Sequence, residues 1–239
     1  CLESIRRFQP KCRFYSAGSS EEMGDVDYSP QDKAHPPKPR SPYGVSKVAS
    51  RFLTKVYRES YDIFAVHGIL FNHEGKRRGE EFVTRKITKG VAAIKSAINQ
   101  GKEFRPLQLG NVDAKRDWSD SEDFMDGVWK MLTQDTPKEY ILSSNETHTV
   151  REFVELAFRH AGLNGTWFGE GVEEKFVYQE IDMGGADIKT LVEINEKYYR
   201  PAEVAILHGD STPIREELGW KPKYSFSDLV QRMVENDLS

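Results

Sequence analysis

The sequence has 239 residues, 38% hydrophobic and 11% aromatic, with a formal net charge of -4. Such a chain can bury a real core, which excludes disorder as its main state, and its near-balanced charge leaves no electrostatic footprint for nucleic acid. No apolar run approaches the ~20 residues needed to span a bilayer.

The only cysteines, Cys1 and Cys12, exclude a disulfide framework and lack metal or redox spacing. They point to a reducing compartment. Residues 1–12 carry no apolar signal region or small-residue cleavage site, so the expected location is cytoplasmic, with organelle import left open.

In chain order, Leu2–Phe8 suits the end of an amphipathic helix stopped by Pro10, and a strand begins at Arg13. A polar turn, Ser16–Glu22, and a Pro-rich loop from Ser29 to Ser41 follow. Ser41 as N-cap and Pro42 in the first turn predict a helix to about Ser60, with Val45, Val48, Ala49, Phe52, Leu53 and Val56 at helical spacing. The apolar run Ile63–Phe71 fits a strand buried on both faces of a parallel sheet.

A helix is expected over Glu81–Gln100, then a strand near Pro106–Leu109 and a helical stretch within Ser119–Leu132. Glu139–Leu142 reads as a strand and Thr149 as the N-cap of a further helix. A last helix spans Tyr224–Asp237. Alternating strands and helices define an α/β chain with a parallel sheet.

Three clusters carry chemistry. Tyr43 and Lys47, four apart on a helix, share one face, where the ammonium favours the ionised phenol for base work; the spacing is common, and a Tyr merely packed on its helix satisfies it too. Ser19-Ser20-Glu21 follows the first strand, at the end of an α/β sheet where ligands bind; a simple capped turn with a solvated Glu21 is the alternative. Asn72-His73-Glu74 with Arg78 follows the apolar strand. Adjacent residues in extended chain point to opposite faces, so His73 and Glu74 do not converge on a metal, and His73 with Arg78 suits phosphate. A solvated basic turn is the competing reading, and no metal site is expected.

These residues resemble the extended short-chain dehydrogenase/reductases, within them the sugar-nucleotide dehydratases, and most closely the GDP-mannose 4,6-dehydratase family. The segments carrying the likeness, in order, are Ser19–Glu21, Arg40–Gly44, Gly68–Glu74, Phe82–Ile87, Leu109–Trp118 and Tyr198–Val204. The resemblance implies the C-terminal part of a Rossmann-like parallel sheet domain plus a smaller α/β substrate-binding subdomain. Residues 1–80 would be the second half of the NADP-binding domain. Residues 81–239 would be mainly substrate binding, with 105–145 returning to the sheet.

It also implies that Ser19, Glu21, Tyr43 and Lys47 are catalytic and that Lys47, His73 and Arg78 bind NADP. GDP-mannose would be held by Asn72, Val83, Lys86, Arg116, Arg200 and Glu203, and the chain would form a homo-oligomer through a loop near Lys76–Glu81. Departures from the family pattern are Gly18, Glu22 and Met23 around the turn, Gly75-Lys76 before Arg78, and Ser119-Asp120-Ser121 after Trp118.

The family's Gly-rich cofactor loop has no counterpart here, so Cys1 reads as an internal position. The chain is expected to be part of a longer protein, or one whose sheet a partner chain completes. A non-catalytic dehydratase-like subunit and a dehydratase of another nucleotide sugar are the alternative functions.

Overall fold

The structure, a computed structural model, describes residues 1–182, 185–199 and 206–239. Its helices are α1 (Leu2–Phe8), α2 (Pro42–Tyr61), α3 (Val83–Asn99), α4 (Ser121–Leu132), α5 (Val150–His160), α6 (Thr212–Leu218) and α7 (Phe226–Leu238). They belong to two compact units. The first comprises Cys1–His73, Arg116–Thr147 and Val204–Tyr224, the second Glu74–Lys115, His148–Glu203 and Ser225–Ser239. The chain therefore leaves the first unit at His73, against about residue 80 in the sequence division, and returns to it from Arg116.

The first unit is built on a three-stranded parallel sheet in the order Phe14–Ala17, Ala65–Leu70, Glu139–Leu142. Every residue of the central strand Ala65–Leu70 is buried, as its unbroken apolar run predicts for a strand covered on both faces. The period-2 alternation of a strand divides the core. Val66 and Leu70 pack with Phe124, Met131, Tyr140 and Trp220, while Ile69 and Phe71 pack with Met23, Ile141 and Leu207. Each such apolar side chain contributes about 1.5–3 kcal/mol by leaving water. His67, on the parity of Ile69, is the polar exception on this strand and is fully buried.

Helix α2 starts where predicted. Ser41 accepts a hydrogen bond from the Gly44 amide, Pro42 occupies the first turn, and Asp62 ends the helix in the left-handed region at φ 51°. Its apolar spacing does not mark its buried side, however. Val45, Phe52, Leu53 and Val56 are about half exposed, whereas Gly44, Arg51 and Thr54 are buried. The buried polar groups have partners, Glu139 for Arg51 and the Ser50 carbonyl for Thr54, which removes the usual penalty for burying them.

The second unit holds a four-stranded mixed sheet ordered Leu107–Leu109, Gly185–Ile194, Lys175–Asp182, Gly165–Phe168. Only the first of its pairings is parallel. Helices α3, α5 and α7 pack together here. Thr149 caps α5 through a reciprocal box with Glu152, as its sequence suggests. Ser225 does the same for α7 with Asp228, so that helix begins at Phe226 rather than Tyr224.

Candidate active site

Strand Phe14–Ala17 ends in a turn that the sequence makes polar. Ser19 caps a short 3-10 segment, Ser20–Glu22, by accepting from the Glu21 amide at 3.2 Å. The capped-turn alternative is thus realised, but Glu21 is half-buried rather than fully solvated. The first turn of α2 lies directly against this turn. A Cβ on Gly44 would meet the Glu21 carbonyl oxygen at 2.7 Å, so glycine is what permits the approach.

The same packing brings Tyr43 and Lys47 to the carboxyl end of the sheet. Lys47 Nζ donates to the Ala17 carbonyl at 2.8 Å and stands 5.4 Å from the centroid of the Tyr43 ring. Tyr43 itself is 54% exposed and is not packed into the core. Ser19, Glu21, Tyr43 and Lys47 are thereby gathered in one neighbourhood of the first unit. Asn72 and His73 follow the central strand in the same unit. The Asn72 Oδ1 is buried without a hydrogen-bond partner among the described residues, and His73 Nδ1 lies 2.9 Å from the Phe71 carbonyl, with its ring 5.1 Å from that of Phe124.

Arg116 sits one residue before a buried carboxylate, Asp117, in this unit. Asp117 accepts from the Ser144 amide and hydroxyl, both at 2.7 Å, and from the Gly209 amide at 3.4 Å. Burial pushes its carboxyl up to about 6, although those hydrogen bonds pull the other way.

Within the second unit, Arg78 pairs with Glu74 at 3.0 Å, and its guanidinium lies 3.4 Å over the Phe82 ring. Glu74 also accepts from the Thr84 hydroxyl at 2.6 Å; its carboxyl is raised by burial against the opposing pull of Arg78 and Thr84. Val83 opens α3, and Lys86 donates to the Gln108 carbonyl at 2.6 Å while its ammonium lies 3.7 Å over the Tyr198 ring. Burial lowers the Lys86 amine below its ordinary range. Arg200 and Glu203 lie outside the described residues.

Sequence reading missed a buried group behind the Ser19 turn. Glu22 and His67 are both fully buried and pair at 3.0 Å. The signal was present in part: His67 interrupts an apolar strand. Among the described residues no group of three or more His, Cys, Asp or Glu is gathered to hold a metal, and no helix is long and apolar enough to cross a membrane.

A parallel sheet carrying a Tyr and a Lys four apart at its carboxyl end defines a Rossmann-type α/β protein of the short-chain dehydrogenase/reductase class. Solved structures agree on the fold. RMD from Pseudomonas aeruginosa, complexed with NADPH, superimposes with a TM-score of 0.80 at 21% identity, covering 99% of this chain and 70% of that one. A dTDP-glucose 4,6-dehydratase from Bacillus anthracis in complex with NAD gives 0.74 at 18% identity, covering 98% and 64%.

The family model for GDP-mannose 4,6 dehydratase matches residues 1–233, and the chain belongs to that family. It is 43% identical to the GDP-mannose 4,6 dehydratase of Drosophila melanogaster over 239 residues, 99% of this chain and 58% of that protein. The Homo sapiens enzyme is 43% identical over 226 residues, 95% of this chain and again 58% of the relative. The chain therefore spans well under two thirds of the length of these relatives.

Proposed function

We propose that the protein is a GDP-mannose 4,6-dehydratase, converting GDP-mannose to GDP-4-keto-6-deoxymannose with NADP bound. The observation that carries this reading is the gathering of Ser19, Glu21, Tyr43 and Lys47 at the carboxyl end of the sheet, in a chain of this family. Lys47 fits a nicotinamide nucleotide by offering an ammonium beside the Tyr43 ring for a ribose, and Asn72 Oδ1, buried without a hydrogen-bond partner among the described residues, is an acceptor for the sugar nucleotide.

When bound, the cofactor supplies a reversible hydride acceptor. The chain's residues supply the proton chemistry. Tyr43 takes the proton from the 4-hydroxyl, with the positive charge of Lys47 beside the phenol and the Ser19 hydroxyl as a hydrogen-bond donor. Glu21 removes the C5 proton, made acidic by the neighbouring ketone, and returns that proton to the C6 oxygen, so that the C6–O bond breaks, water leaves and a C5–C6 double bond forms, to be filled by the hydride at C6 and a proton at C5. In the first unit, His73 suits a phosphate of the cofactor and Arg116 the diphosphate of the sugar nucleotide; in the second unit, taken by itself, Arg78 suits a cofactor phosphate and Lys86 a sugar-nucleotide diphosphate. The half-exposed apolar residues Phe52, Leu53 and Val56 of α2 support a chain that self-associates.

The test is turnover of GDP-mannose by the full-length natural polypeptide and its Tyr43→Phe variant. Turnover should be lost and NADP affinity kept, because Tyr43 is half exposed and packs into no core. Undiminished turnover in the variant would overturn the assignment.

A further inference from the structure

The Ser19 turn is fixed from behind by charged and polar groups that no surface property explains. Glu22 Oε1 accepts the Ser19 amide at 2.8 Å and lies 3.0 Å from His67 Nε2. His67 Nδ1 in turn lies 3.0 Å from the Ser16 hydroxyl, directly across the sheet in the Ser16↔His67 register. Glu22 and His67 are fully buried, and Ser16 is nearly so. The space among them is closed as well. A Cβ on Gly18 would run into His67 Nε2 and would meet Glu22 Oε1 at 2.5 Å and the Gly68 carbonyl at 2.7 Å.

This chain of bonds runs from two neighbouring strands to the backbone of the residue bearing the catalytic hydroxyl. A buried carboxylate and imidazole are expensive to hold in the interior unless they fix something. What they fix here is the position of Ser19, and through the 3-10 segment the position of Glu21. We propose that Glu22 and His67 are positioning residues for the dehydratase reaction, holding the Ser19–Glu21 turn in register with Tyr43. The proposal rests on the function assigned above to Ser19 and Glu21. Glu22 and His67 thus hold the turn by a hydrogen-bonded brace rather than by apolar side-chain packing.

The experiment compares Glu22→Leu, Glu22→Gln and Gly18→Ala in the full-length polypeptide. Leu keeps the volume but removes the acceptor. Gln can return an oxygen to the Oε1 position, and the Gly18→Ala methyl wedges the pair apart without deleting either group. Glu22→Leu and Gly18→Ala should lower kcat by roughly 10²-fold with KM for GDP-mannose within about 2-fold, since a displaced reactive group costs rate rather than binding. Glu22→Gln should recover most of kcat.

Hydrogen exchange at the Ser19 amide reads the same brace without using activity. It should be slow in the wild type and Glu22→Gln, and at least about 10-fold faster in the other two variants. Loss of thermal stability with kcat and Ser19 protection both unchanged overturns the proposal. If Glu22→Leu does not fold, Gly18→Ala decides on the same two readouts. Wild-type protein that protects Ser19 but does not turn over GDP-mannose sinks the functional assignment and leaves the brace standing.

Discussion

At its N-terminal end α2 presents Tyr43, half exposed, and Lys47, tied by one hydrogen bond to the Ala17 carbonyl. One turn further on, the same helix buries Arg51, which clasps both oxygens of Glu139 at 2.7 and 3.1 Å and also donates to the Lys33 carbonyl at 2.9 Å. Arg58 then donates to the Ala65 carbonyl at 2.9 Å, at the amino end of the central strand. The two ends of one helix thus use polar groups for different work. At the carboxyl end of the sheet they are lightly tethered and accessible to a ligand; at the amino end Arg51 is bidentate and shielded, and Arg58 is tied to a strand carbonyl. A change at the first end should cost rate with little stability, and a change at the second should cost stability with little rate.

The sharpest probe of the reactive end is Glu21→Gln. An amide cannot take the C5 proton, so water loss should fall by about 10²–10⁴-fold, while cofactor reduction at C4 continues. Single-turnover absorbance of the nicotinamide against product release separates the two steps. The thermal midpoint should stay where it was; a large drop would show that Glu21 belongs to the structural class instead.

At the structural end, Arg51→Met leaves the partly buried Glu139 without its bidentate partner, with the charges of His67 and Arg58 nearby, a loss of about 1–3 kcal/mol. Denaturant unfolding measures it, and kcat per folded molecule should be unaffected. The pH behaviour carries the same signature. Burial pushes the Glu139 carboxyl up, but the hydrogen bonds and charge of Arg51 outweigh it and hold the carboxyl below its usual range. The pair's stabilisation is therefore present above the ordinary carboxylate range and is lost as pH falls through the lowered value.

Asp117 differs from both ends of α2: its buried carboxyl accepts from the amide and hydroxyl of Ser144 and the amide of Gly209, and among the described residues no Lys or Arg is hydrogen-bonded to it. With its carboxyl raised from 3.8 to about 6, the folded state binds more protons than the unfolded chain between those values. Stability should decline as pH rises from about 4 to about 6, by up to about 3 kcal/mol, and then level off. Melting curves across that window should show the slope in the wild type and its absence in Asp117→Asn.

The smallest effect is expected on α1. Arg6 and Arg7 hold the Glu3 carboxyl down to about 2 by side-chain hydrogen bonds, but all three groups face water. Glu3→Gln should leave the thermal midpoint unchanged within error, as exposed ion pairs ordinarily do.

Local rules were enough for the sequence to determine a good deal of this protein. Ser41, Pro42 and Thr149 mark helix starts because a cap needs only the few residues around it. The Ala65–Leu70 strand is legible because burial on both faces leaves an unbroken apolar run. Tyr43 and Lys47 are legible because the helical period places residues four apart together. The buried side of α2 was not legible: its apolar stripe is half exposed, and Arg51 finds its partner 88 residues away.

The same holds for Glu22 and His67, separated by 45 residues, and for Asp117 with Ser144 and Gly209. Only the tertiary structure decides such pairings. They depend on the register in which distant strands meet, and no local period records that register.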